Sequence, residues 1–145
     1  MKTYLDSSAL VKLYYPEAES ERVSRWVSQS NQPLLFTSIH ELELQNTFAL
    51  KVFRGEIKPS QMKQALRLVE GDLKRGLFLK QDIHWGELFA VALQLSYRHT
   101  RKIGCRSLDI LHVSLASSFE CSHFISFDDR QIRLARKAGL KPVRI

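Results

Sequence analysis

Tyr4-Leu5-Asp6 and Ile125-Ser126-Phe127-Asp128 share one local pattern: a short β-favouring run passes into an aspartate, and a helix follows. In a parallel sheet the carboxyl ends of the strands share one edge, and that edge is where α/β folds bind ligands. The pattern therefore predicts that Asp6 and Asp128 project into one crevice although 122 positions separate them. An aspartate at such a junction also serves well as a helix N-cap, and this plainer role stands beside the first for each residue.

Two helical segments offer further acids. In Arg106-Ser107-Leu108-Asp109-Ile110-Leu111-His112 the leucines 108, 111 and 115 define an expected apolar stripe, with Asp109 set among apolar neighbours. An unpartnered carboxylate there is costly. His112, three residues on, is its neighbour on the helix surface. The other segment, Ser38-Ile39-His40-Glu41-Leu42-Glu43, carries two acids about 200° apart around the axis, so at most one can face a shared site. Both also suit a first turn through the helix dipole. His40 with these acids does not match the spacing of a zinc motif. Carboxylates without cysteine suit a hard, oxygen-preferring ion such as Mg²⁺ or Mn²⁺. Grouped together they repel one another unless a cation is present. That chemistry fits metal-assisted phosphodiester hydrolysis.

The elements that would position these acids alternate. Strand-like runs occur at 2–5, 34–37, 77–80, 123–127 and 142–145. Between them lie amphipathic stretches: one opened by Glu17, then about 39–54 capped by Thr37 or Ser38 and closed by Gly55, 59–76 opened by Pro59, 86–98, 106–119 and 129–138. In 86–98 the stripe is Leu88, Val91, Ala92 and Leu95. Alternation of this kind predicts an α/β fold around a mostly parallel sheet. At 145 residues, without repeat or linker, the chain reads as a single domain over 1–145.

Composition narrows the classes. Hydrophobic residues are 44% and charged residues 26%, which excludes a disordered chain. No apolar run approaches the roughly 18 residues of a membrane span. Asp6 so near the start does not suit a signal peptide. Two cysteines, Cys105 and Cys121, make neither a disulfide framework nor a zinc set, so a reducing cytoplasm is the expected location. The net charge is +7, and it is unevenly spread. Residues 98–145 hold ten Lys or Arg against four acids, whereas the first 97 hold twelve against eleven. A one-sided basic surface concentrates phosphate polyanions.

Taken together, YLDSSALVKLYYPE, SIHELELQNTFALKVFRGEI, RSLDILHVSLA and FISFDDRQIRLARKAGLKPV resemble the PIN-domain ribonucleases, and most closely the VapC-type toxins of toxin–antitoxin pairs. The resemblance spans nearly the whole chain. It implies a three-layer α/β/α fold with a central, mostly parallel sheet, RNA as substrate, a homodimer, and a cognate antitoxin as inhibitor. It maps the family's four acids onto Asp6, Glu43, Asp109 and Asp128, preferring Glu43 to Glu41 and Asp128 to Asp129. These four would hold Mg²⁺ or Mn²⁺ and form the catalytic set. Ser7, Ser8 and Ser126 match the small hydroxyls placed near the metal. Arg106 and His112 match positions typical of the subgroup, and Arg106, Arg130 and Arg133 are the candidates for holding RNA.

Rival classes fit less well. A phosphotransfer hydrolase would carry a second aspartate two residues after Asp6, where Ser8 stands. A receiver domain would need a mid-chain aspartate after a strand, and neither Asp72 nor Asp82 follows a convincing one. A non-catalytic RNA-binding module on the same fold is the alternative that the intact acids argue against.

Overall fold

The computed structural model describes residues 2–145. In chain order the elements are β1 (Thr3–Leu5), α1 (Ser7–Tyr14), α2 (Ser20–Gln29), β2 (Leu34–Phe36), α3 (Ser38–Phe53), α4 (Pro59–Lys74), β3 (Phe78–Lys80), α5 (Trp85–Leu95), a π-helical turn (Ser96–Thr100), α6 (Arg101–Ile103), α7 (Ser107–Ser118), β4 (His123–Ile125), α8 (Asp129–Lys137) and β5 (Lys141–Pro142). They form two compact units, one of residues 2–8 with Ile83–Arg144, the other of Ala9–Asp82 with Ile145.

In the first unit β1, β4 and β5 form a sheet in the order β1-β4-β5, parallel throughout, with Leu5 opposite Ile125. β1 is buried at every position, as parallel strands covered on both faces are. Tyr4 stacks on Phe124 with ring centroids 5.4 Å apart. Helix α7 packs against α5 and α8, and α8 against β4 and β5. Gly104, in the left-handed conformation at φ 76°, ends α6 and turns the chain toward α7. β5 is shorter than the sequence pattern suggests, although the Val143 N–H beyond it still donates to the Phe124 carbonyl of β4 at 2.9 Å.

The second unit contains β2 and β3, again parallel, with Leu35 opposite Leu79. Thr37 caps α3 in an unusual way: the Nδ1 atom of buried His40 accepts the Thr37 backbone N–H at 3.0 Å. A glutamate commonly does this job. The histidine considered beside Glu41 and Glu43 is therefore a capping residue. α2 starts at Ser20 rather than Glu17, because the Ser20 hydroxyl accepts the Glu17 N–H and closes a turn there first.

The expected leucine stripe of α7 is corrected. Leu115 is buried as expected, but Leu108 is 47% exposed and Leu111 half-buried, while Asp109, Ile110, His112, Val113 and Ala116 are buried. Hydrophobicity alone misplaces the inner face, because Asp109 and His112 have hydrogen-bond partners inside that make their burial tolerable.

Candidate functional site

Asp6 leaves β1 fully buried, and its backbone N–H continues the ladder to the Ile125 carbonyl at 3.1 Å. Two hydroxyls hold its carboxylate. Ser8 Oγ donates to Oδ1 at 2.6 Å, and Ser126 Oγ donates to Oδ2. Each hydroxyl also accepts from the turn after β4: Ser8 from the Phe127 N–H at 3.1 Å, Ser126 from the Asp128 N–H at 3.0 Å. The two strand-end motifs are thus stitched together atom by atom, with Ser8 and Ser126 as the couplers.

Asp128 is the N-cap of α8. Its Oδ1 accepts the Arg130 and Gln131 N–H groups at 2.8 and 3.3 Å. Asp109 closes the first turn of α7 by accepting the Arg106 N–H at Oδ2, 2.8 Å away. The capping role considered for these acids is real, yet it engages one oxygen of each. Among the described residues, Oδ1 of Asp109 and Oδ2 of Asp128 accept no hydrogen bond, and neither acid forms an ion pair. One carboxylate can therefore order a helix and still keep an oxygen free of hydrogen bonds within the described residues.

His112 holds the base of this arrangement. It is buried and lies between Tyr4 Oη, 2.6 Å from Nδ1, and Ser7 Oγ, 3.3 Å from Nε2. A neutral imidazole has one donor and one acceptor nitrogen, which satisfies both contacts. Its partners lie two residues before Asp6 and one after, so α7 fixes the turn that carries Asp6. Sequence reasoning placed His112 on the right helix but not this role; the signal was the tyrosine of the buried strand two residues before Asp6.

Cys105 reports on the electrostatics around the two capping acids. Burial pushes its thiol up, and Asp109 and Asp128 act in the same direction against Arg130 and Arg133. Both carboxylates and both guanidinium groups therefore lie within electrostatic reach of one buried sulfur. Arg106 and Arg133 are exposed and Arg130 is half-buried. Gln131, in the first turn of α8, is buried with its Oε1 unpartnered and has no signal in the sequence pattern.

Glu43 lies in the second unit, half-buried on α3. Its neighbour Glu41 is exposed and takes Lys80 Nζ on β3 at 2.6 Å, which commits that charge to a surface ion pair. Among the described residues no three His, Cys, Asp or Glu side chains already converge closely enough to hold a metal. The donor set offered, carboxylate and hydroxyl oxygens without sulfur, fits a hard divalent ion.

A parallel α/β fold with aspartates at adjoining strand ends defines a class, and the chain belongs to the PIN domain family, whose profile matches residues 3–137. Proteins of this family are generally nucleases and typically use divalent metal ions. Among solved structures the chain is similar to one in the crystal structure of FitAcB from Neisseria gonorrhoeae, at 14% identity and a TM-score of 0.67. That match covers 98% of this chain and 96% of the other, and it is a likeness of fold. No curated protein matches the sequence. Among the described residues no helix is long and apolar enough to cross a membrane.

Proposed function

We propose that the protein is a Mg²⁺- or Mn²⁺-dependent endoribonuclease, the toxin of a VapC-type toxin–antitoxin pair. The observation that carries this reading is the divided use of Asp109 and Asp128, each capping a helix with one oxygen while the other accepts no hydrogen bond among the described residues. Asp6, Asp109, Asp128 and, from α3, Glu43 would hold the ion. When bound, it would activate water and offset charge on the phosphate oxygens. Ser8 and Ser126 fix the Asp6 carboxylate, Ser7 tethers the turn through His112, and Arg106, Arg130 and Arg133 hold the RNA backbone near the acids. The working form is a cytoplasmic homodimer, consistent with two buried free cysteines, and a cognate antitoxin restrains it.

RNA cleavage with Mn²⁺ tests the assignment on wild type, Asp6→Asn and Asp109→Asn. Loss of a residue one step removed from a metal commonly costs 10- to 100-fold, so each variant should fall by about 100-fold or more. Equal cleavage by all three sinks the nuclease reading. RNA binding without cleavage by wild type would favour the non-catalytic RNA-binding module. Affinity for RNA should also fall steeply with salt, as phosphate contacts dictate.

A further inference from the structure

Helix α5 is apolar over far more of its circumference than its own chain covers. Leu88, Ala92 and Leu95 are buried, yet Trp85, Phe89 and Leu93 are 48, 50 and 69% exposed. Tyr97, in the π-helical turn, continues the row at 78%. These four recur every fourth residue. In an α-helix such a row drifts about 40° per step, and the wider π turn works against that drift. The row is continuous at both ends: the Trp85 and Phe89 rings lie 6.3 Å apart, and Arg101 sits over the Tyr97 ring at 5.7 Å. Gly86 and Ala90 beside it are exposed and small, and a Cβ on Gly86 would meet nothing of this chain. Only Glu87 and Gln94 interrupt the apolar character of α5. A helix that is apolar nearly all round is one that is buried nearly all round.

We infer that the Trp85-Phe89-Leu93-Tyr97 row is the face through which two copies of this chain associate, paired antiparallel about a two-fold axis near Val91. The inference rests on the homodimer reading above and adds its surface and direction. Area argues for it. The four exposed side chains offer on the order of 500 Å², more than half of the roughly 800 Å² per partner of a standard interface. Charge sets the direction. The end beyond Tyr97 carries Arg98, Arg101 and Lys102, whereas the Trp85 end carries Glu87. Parallel alignment would set the basic ends against each other. Antiparallel alignment sets each basic end against the partner's Trp85 and Glu87, where Arg101 finds an aromatic face and a carboxylate. Phe89 then meets the partner's Leu93, and each row packs beside the small Gly86–Ala90 strip.

Sedimentation velocity with wild type, Phe89→Glu, Leu93→Glu and, in the other unit, Phe53→Glu tests this. Phe53 is 87% exposed on α3, so it serves as a control of the same kind. All three substitutions sit on the surface, and circular dichroism verifies the fold. Wild type and Phe53→Glu should be dimers, and the two α5 variants monomers, their dimer affinity reduced about 100-fold or more by a buried charge. A wild-type monomer overturns both the homodimer reading and this face. Dimers that survive Phe89→Glu and Leu93→Glu overturn the face and leave the homodimer reading standing. For direction, Ala90→Cys should cross-link to itself under mild oxidation and Trp85→Cys should not; the reverse outcome overturns the antiparallel pairing.

Discussion

Asp72 and Asp109 are both buried, both on helices, and handled in opposite ways. Asp72, on α4 of the second unit, is saturated by its own chain: Tyr14 Oη donates to Oδ2 at 2.6 Å, and the Arg75 guanidinium takes Oδ1. Burial and the adjacent carboxylate together push the Tyr14 phenol far up. Asp109, on α7 of the first unit, receives one backbone N–H and, among the described residues, no cation. The chain neutralises a carboxylate whose job is to hold helices together. It leaves Asp109 without a cation of its own, the carboxylate to which the proposed function gives a metal from outside.

Exchanging each aspartate for asparagine gives the largest effects and separates the two roles. Asp109→Asn should lower RNA cleavage by about 100-fold or more with little change in Tm, since an amide oxygen still accepts the Arg106 N–H. Asp72→Asn should leave cleavage unchanged and cost about 1–2 kcal/mol, discounted because Arg75 is largely exposed, which lowers Tm by a few degrees. Cleavage assays beside thermal melts read both. Equal behaviour of the two variants would break the comparison.

Mn²⁺ itself sharpens it without reference to turnover. An ion that binds only the folded state stabilises it by about 2.7 kcal/mol at a concentration of 100 Kd. Melts of wild type and Asp72→Asn should therefore rise by similar amounts on adding Mn²⁺, and that of Asp109→Asn should rise less. A smaller effect distinguishes the two tyrosines. Tyr14→Phe and Tyr4→Phe each lose one hydrogen bond, about 1 kcal/mol of stability. Only Tyr4→Phe, which frees His112 and so the turn carrying Asp6, should also lower Mn²⁺ affinity, measurable by titration calorimetry.

The residues that were legible in the sequence are those whose positions follow from local rules. Asp6 and Asp128 stand where a strand gives way to a helix, and parallel pairing of β1 with β4 brings their turns together. Thr37 and Gly55 act as the cap and stop their chemistry suggests for α3. What local rules could not supply is tertiary partnership. The inner face of α7 was misread because Asp109 and His112 counted as polar, while Tyr4, the partner of His112 from 108 residues away, appears only once the chain is folded. Glu41 and Glu43 were ambiguous by spacing, and Lys80, 39 residues away, now ties up the first. The change from α to π geometry at Ser96 has no signature in the residues at all.

The smallest effect concerns positive charge left unneutralised in the first unit. His99, on the π-helical turn, is held below the ordinary histidine range by burial first and then by Lys137, Arg98 and Lys102. A group whose folded pKa is depressed releases its proton more readily when native than when unfolded. The unfolded chain therefore binds the extra proton, and stability falls as pH drops below the ordinary value of 6.5 until the folded histidine protonates too. Thermal melts from pH 7.5 to 5.5 should show a shallow decline that His99→Gln flattens and salt reduces, because cations cause part of the shift. If these cations face RNA, as the proposed function has Asp109 face a metal, a non-cleavable oligonucleotide should raise the His99 pKa when followed by NMR. A titration unchanged by RNA would confine the phosphate track to Arg106, Arg130 and Arg133.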